Sequence, residues 1–305
     1  MTKRGWVLFV AMSFIWGIPY LLIRVAVREL EPEMVVFGRT SIAATVLMVL
    51  AHRSDAIRPA LRRWRPVLAF AIIEMAIPWI LLAIAEQHLA SGLTGLIIAT
   101  VPIVGAISAF CLGDRSALRR ARVFGIFVGF AGVAFLVGND LRGDGAPPWW
   151  SIAMVLVVCV CYGTAPFIIE RKLADVPAFG VIALSLGAVA LLYAPIAGVS
   201  ATSNHPSLKA VSAVVVLALV CTGLAFVVFF KLLDEIGPAR APLITFANPV
   251  VAVALGAVLL DEAVTVATLV GFVLVMTGCW LATRPAPAVV SESPIAPQVV
   301  TAAVD

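Results

Sequence analysis

The sequence predicts an all-α membrane protein: ten transmembrane helices arranged as two inverted five-helix repeats. Three observations lead there: the composition, the number and length of the apolar stretches, and an internal match between the two halves. Of 305 residues, 62% are hydrophobic and only 12% charged, whereas soluble domains hold about 25% charged and 45–50% apolar residues. The apolar residues fall in ten stretches, most long enough at about 1.5 Å per residue to cross a ~30 Å hydrocarbon layer. Ten spans use roughly 200 residues and leave no room for a sizeable soluble domain. A cytosolic enzyme, a secreted protein and a single-span receptor are excluded.

The spans are expected near 6–23, 34–51, 66–84, 91–112, 123–138, 150–169, 178–198, 211–230, 239–259 and 264–283. Met1-Thr2-Lys3-Arg4 before the first run resembles the start of a signal peptide. No small-x-small cleavage site follows, so the run reads as an uncleaved first span. Basic residues set the orientation. Sixteen Lys and Arg, from Lys3 and Arg4 through Arg53–Arg65 and Arg115–Arg122 to Arg284, fall on one side. Only Arg28, Arg142 and Lys209 fall on the other. By the positive-inside rule both termini of this multi-pass chain face the cytoplasm. The same rule explains the net charge of +4 without a nucleic-acid partner. Residues 284–305, rich in Pro, Ala, Val and Ser, read as a disordered cytoplasmic tail.

Sliding the chain on itself gives a match at an offset of 146–147 residues. Residues 91–114 lie against 238–261, with identical pairs Leu96/Leu243, Ile97/Ile244, Pro102/Pro249, Val104/Val251, Leu112/Leu259 and Asp114/Asp261. Gly125 and Gly132 match Gly271 and Gly278, and Trp16-Gly17 matches Tyr162-Gly163. The repeats therefore run over 6–138 and 149–283, five spans in each. An odd number of spans inverts the second repeat relative to the first, an architecture of transporters with a midplane site between the halves.

With these motifs in view, the sequence resembles the drug/metabolite transporter superfamily, of the type with two tandem EamA domains. The resemblance is carried by Phe14-Ile15-Trp16-Gly17, Phe37-x-Arg39, Ala90-Ser91-Gly92 with Pro102, Gly237-Pro238-Ala239-Arg240 with Pro249, and Leu259-Leu260-Asp261-Glu262 leading to Gly271 and Gly278. It implies an inner-membrane carrier, often an exporter of amino acids, related metabolites or drugs. Small multidrug members of the superfamily couple protons through a glutamate in span one. This span one has none, so that mechanism does not transfer by position.

Charges inside spans cost at least ~2.5–3.5 kcal/mol near the bilayer centre, which singles out Arg39 in span two and Glu74 in span three. Their depths differ by about 7–8 Å at 1.5 Å per residue, a gap their side chains could partly bridge. Arg39 suits a substrate carboxylate and Glu74 an amine or a proton; the structural alternative is an ion pair or a snorkelling arginine. Trp16, Tyr20, Trp79 and Tyr162 are expected to line an apolar pocket, with packing as the alternative. Thr94, Thr100, Thr164, Thr222, Thr245 and Asn248 are candidate hydrogen-bonding groups. Pro249 is expected to take away the usual helical donor to the Thr245 carbonyl and Pro102 the donor to that of Ile98, while Pro19 and Pro78 loosen spans one and three. Freed backbone of this kind is tolerated where it lines a cavity. Gly125, Gly129 and Gly132 with Gly271 and Gly278 suit close helix packing or a homodimer face. Asp261 and Glu262 suit the N-terminus of span ten. The five cysteines, all in apolar runs, read as small buried side chains rather than disulfide or metal sites.

Among function classes, a carrier needs an inverted repeat, broken spans and a few polar groups, and all are present. An intramembrane enzyme would need converging nucleophile, base or metal ligands, yet His52, His88 and His205 all sit in connectors. A structural membrane-assembly protein would not need the duplication. No nucleotide-binding motif or cofactor signature is present and no metal is expected. The expected partners are a small-molecule substrate, protons and the lipid bilayer.

Overall fold

The computed structural model describes residues 2–113, 120–141, 146–200, 206–237 and 244–283. Asp114, Arg115, Arg240 and the expected tail lie outside the described residues. Among the described residues there are no strands, and nine helices are long and apolar enough to cross a membrane. We label these α1 (Lys3–Ala26), α2 (Pro32–Arg53), α3 (Trp64–Ala85), α4 (Ser91–Cys111), α5 (Arg120–Asp140), α6 (Trp149–Lys172), α7 (Ala178–Val199), α8 (Leu208–Ile236) and α10 (Val266–Thr283). A shorter apolar helix, α9 (Ile244–Leu259), completes the ten. α8, at 29 residues, outruns its expected bounds because its last turns, Lys231 to Ile236, keep a helical apolar stripe beyond the hydrocarbon layer.

Local chemistry explains several ends. The Thr2 hydroxyl accepts from the Gly5 amide at 3.0 Å to cap α1, and Ser207 does the same for α8 from the Ala210 amide at 3.3 Å. Pro32 opens α2, where its missing N–H costs nothing. Interior prolines and small residues interrupt the spans. α1 breaks at Ile18, with Pro19 opening its second half. α4 breaks at Ala99–Thr100, just before Pro102. α3 and α8 each contain a π-helical turn, Ala71–Ala76 and Leu219–Leu224, 148 residues apart.

The helix packing displays the inverted repeat directly. α2 lies against α7 and α5 against α10, the most extensive pairings in the molecule, and in each the partners are copies of one another. α1 packs on α8 and α9 of the second repeat, while its copy α6 packs on α3 and α4 of the first. The matching glycines make these crossings possible. A Cβ built on Gly17 would meet Val251 at 2.5 Å, and one on Gly163 would meet Val104 at 2.7 Å; Val251 and Val104 are themselves a repeat pair. Side chains larger than hydrogen would hold the helices apart at both places.

The α5–α10 seam absorbs the remaining glycine stripe. A Cβ on Gly125 would meet the Ala282 amide nitrogen at 2.6 Å, and one on Gly132 would meet Leu274 at 2.8 Å; Gly278 backs onto Gly129. This stripe is thus spent on packing within the chain, and the dimer-face alternative does not apply to it. Gly132→Val is expected to destabilise the protein by about 1–3 kcal/mol through overpacking. Gly138→Ala, with no atom near its added carbon, is expected to leave stability unchanged. Thermal unfolding of the detergent-solubilised variants checks both.

Candidate substrate site

Five helices bring polar and aromatic groups together around Arg39. Its side chain is 8% exposed. Nε donates to the Thr222 hydroxyl of α8 at 2.8 Å, and the guanidinium lies over the Trp79 ring of α3, 3.7 Å from its centroid. Tyr20 on α1, Tyr162 on α6, Cys221 on α8 and the Glu86 carboxyl beyond α3 share its electrostatic surroundings, and the Tyr162 hydroxyl faces the Trp79 indole. No carboxylate among the described residues forms a salt bridge with Arg39; the ion pair observed is Arg63–Asp175, at the surface. A buried guanidinium held by one hydroxyl and one aromatic face keeps most of its five donors available to a planar anionic group.

Glu74 does not bridge to Arg39, as the depth estimate had allowed. It sits in the π-helical turn of α3, half-buried, in the electrostatic vicinity of Tyr162 and Cys161. The turn has a local cause. Pro78 has no N–H to give the Glu74 carbonyl four residues back, and the Ile77 amide reaches to Ile72 instead. The Tyr193 hydroxyl of α7 donates to the Ala76 carbonyl at 3.0 Å. In α8 the matching turn is served by Thr222, whose hydroxyl donates to the Leu217 carbonyl at 2.8 Å while accepting from Arg39. Thr222 occupies the repeat position of Glu74. π turns recur at functional sites because they re-aim side chains without breaking the helix.

The structure gathers Tyr20, Arg39, Trp79 and Tyr162, with Glu74 at the edge, and separates the other candidates. Trp16 packs on Phe229 with ring centroids 4.9 Å apart, nearer the N-terminal side. Thr100 is buried in the α4 break, where its hydroxyl donates to the Ile97 carbonyl at 2.7 Å. Around that break Cys159 also donates to Ile97 O at 3.4 Å, and Cys279 to Ala99 O at 3.0 Å. All five cysteines are free thiols. Thr245 and Asn248 lie on α9, where the Asn248 carbonyl faces Gly17 of α1. The side-chain Oδ1 of Asn248 is buried without a hydrogen-bond partner among the described residues. Of the predicted helix breakers, Pro249 lies inside a continuous α9, so it strains that helix without splitting it.

On the side opposite the N-terminus, carboxylates tie one repeat to the other. Glu262, just past α9, accepts from the Ser91 amide at 2.7 Å, the Gly92 amide at 2.9 Å and the Ser91 hydroxyl at 3.0 Å. It therefore caps α4 rather than α10, whose start is held by Thr265 and Thr268 capping each other's amides. The tertiary fold carries the acidic group to a helix end in the other repeat, where three donors converge instead of one dipole. Glu29, after α1, likewise accepts from the Ser207 amide and hydroxyl, both at 2.7 Å, at the start of α8. These two bonds hold the Glu29 carboxyl below the usual range. Glu86, at the end of α3, is fully buried, with both carboxylate oxygens lacking a hydrogen-bond partner among the described residues. Arg24 donates to the Glu86 backbone carbonyl.

Residues 3–138 and 149–284 each match the model of the EamA-like transporter family. The chain belongs to the EamA-like transporter family. It is 30% identical over 255 residues to "Uncharacterized inner membrane transporter YedA" of Escherichia coli (strain K12), covering 81% of this chain and 79% of the relative. It is 25% identical to an "Uncharacterized transporter" of Archaeoglobus fulgidus, covering 92% and 99%. "Uncharacterized transporter YoaV" of Bacillus subtilis is 24% identical, over 90% and 94%. A solved crystal structure aligns with a TM-score of 0.66 at 22% identity over 93% of this chain and 97% of that one, a shared fold.

Sequence reasoning singled out Thr222 only as a hydrogen-bonding candidate for substrate; it missed that Thr222 accepts from Arg39, and it missed the π turns and Glu86. One signal was present: Thr222 stands 148 residues from Glu74, the repeat offset plus one. Glu86 lies past the apolar run of span three and reads there as a connector residue. Two outcomes follow from this geometry. Thr222→Val leaves a buried charged donor unsatisfied and is expected to cost about 1–3 kcal/mol. A double-mutant cycle with Arg39→Met, followed by thermal unfolding, is expected to give a coupling energy of about 0.5–3 kcal/mol. The lowered Glu29 carboxyl stabilises the fold above its ordinary titration range, and that contribution is lost as pH falls through the lowered value. Strong protection of the Ser207 amide relative to its intrinsic exchange rate is therefore expected near neutral pH and weak protection in acid, with Glu29→Gln weakly protected at both.

Proposed function

We propose that this chain is an inner-membrane secondary transporter that exports small metabolites such as amino acids or drugs. It does so by alternating access to a midplane site between the inverted repeats. The observation that carries the reading is the buried Arg39 guanidinium, in no salt bridge with a carboxylate among the described residues and ringed by Tyr20, Trp79, Tyr162 and Thr222 from both repeats. A substrate carboxylate replaces water on the free guanidinium donors, and the aromatic rings enclose its apolar part. Glu74 meets an amine or carries a proton. The Arg39 guanidinium at this centre favours carboxylate-bearing substrates over lipophilic cations.

The N-terminal side, with its excess of Lys and Arg, is the cytoplasmic side, so both termini are cytoplasmic. Relatives named as transporters support transport rather than catalysis. No nucleotide-binding motif occurs in the chain, and a proton or substrate gradient drives the cycle. The two domains correspond to 6–138 and 149–283. A homodimer would have to form through faces other than the glycine stripe.

Liposomes containing the purified protein, given a panel of amino acids and lipophilic cations with and without an imposed pH gradient, test this reading. Uptake of a carboxylate-bearing compound is expected. Arg39→Met is expected to raise its KM about ten- to a hundredfold, the loss of about 1.5–3 kcal/mol of charge-assisted hydrogen bonding. Transport of cations only, lost in Glu74→Gln and retained in Arg39→Met, would refute the carboxylate assignment. Vesicles of opposite sidedness distinguish export from import.

A further inference from the structure

Glu86 makes no hydrogen bond or salt bridge to Arg39 among the described residues, yet its environment calls for a role. The side chain is 0% exposed, and neither carboxylate oxygen has a hydrogen-bond partner among the described residues. Arg24, the cation nearest to it in the chain fold, spends a donor on the Glu86 backbone carbonyl rather than on the carboxylate. The charged and titratable groups facing Glu86 are Arg24 and Tyr20 from α1, Arg39 from α2 and Glu262 from the segment after α9. Glu262 itself is fully engaged by the α4 N-terminus. An ionised carboxylate so placed forfeits its hydration without compensation, whereas a neutral carboxyl is tolerated.

We propose that Glu86 is a proton-binding carboxyl of the transport cycle, neutral while the Glu262–Ser91 clasp holds the repeats together and exchanging its proton with the outside when that clasp opens. The assignment rests on the alternating-access reading and on the N-terminal side being cytoplasmic. Burial pushes the Glu86 carboxyl well above the usual carboxylate range, with Glu262 adding to the rise and Arg24 and Arg39 opposing it. Opening the clasp releases the α4 N-terminus from Glu262 and admits water to the carboxyl. Glu86 then ionises, giving up one proton and gaining one negative charge that Arg24, freed from the backbone carbonyl, can pair. Reclosure requires that a proton be taken up again, so one proton is bound or released per opening.

Infrared difference spectroscopy of the protein in lipid nanodiscs, titrated from about pH 4 to about pH 9 around the free Glu value of about 4.3, tests this with protons as the only ligand. The expected result is a protonated-carboxyl band that persists at neutral pH, disappears in Glu86→Gln and returns at a shifted frequency in Glu86→Asp. Spectra of the native protein and Glu86→Gln that coincide at every pH would overturn the proposal. Gly256→Ala loosens the clasp without altering charge, because its added carbon collides with the Glu262 carboxylate and lies 2.9 Å from the Ser91 hydroxyl. It is expected to lower the midpoint of the band by about one pH unit or more. An unchanged midpoint would sever Glu86 from the clasp and defeat the proposal.

The liposome assay separates this inference from the transport reading. If nothing in the panel moves while the band follows Glu86, the proton site stands and the substrate reading falls. If a pH gradient drives transport equally well through Glu86→Gln, Glu86 is excluded from the cycle whatever its protonation.

Discussion

Inside hydrocarbon there is no water to receive a stray amide or carbonyl, and the whole molecule is organised around that constraint. At several places where a proline or a π turn loosens a span, a side chain meets the backbone there. The Ile97 carbonyl receives Thr100 of its own helix and Cys159 of α6, Ala99 receives Cys279, Ala76 receives Tyr193, and Leu217 receives Thr222 of its own helix. Cys159, Cys279 and Tyr193 come from the other repeat, so these loosened places also bind the halves together. A thiol is a weak donor, which suits a position that must be satisfied without being locked.

The candidate site inherits its asymmetry from the same arrangement. The packing obeys the repeat symmetry closely, down to Gly17 against Val251 and Gly163 against Val104. The chemistry does not. At the 146-residue offset Arg39 corresponds to Ser185, and at the 148-residue spacing of the two π turns Glu74 pairs with Thr222, so the charges belong to the first repeat and the hydroxyls to the second. Arg39 reaches across to Thr222, and a symmetric scaffold thereby presents a single polar centre. On the far side the division is shared: Glu29 of the first repeat caps α8, and Glu262 of the second caps α4.

Much of this was legible from composition and spacing because length, hydropathy and proline content are local properties. The ten spans and their order, the inversion implied by five spans per half, and the burial of Arg39, Tyr20 and Trp79 all follow from residues read in place. Thr100 and Trp16 look like site residues by the same reasoning, since a polar or aromatic side chain in a span has the same signature whether it lines a pocket or fills a gap. Their partners, Ile97 O and Phe229, decide which it is.

The sequence by itself determined the all-α inverted repeat and the membrane setting, because apolar runs of spanning length admit no other backbone in lipid. Only the tertiary structure decided which polar groups meet. Arg39 found Thr222 and not Glu74, Glu262 found the N-terminus of α4 and not that of α10, and Glu86 was sealed away without a partner. Those outcomes depend on how helices far apart in the chain rotate and cross, and the crossing geometry is set by packing between faces that no local pattern pairs.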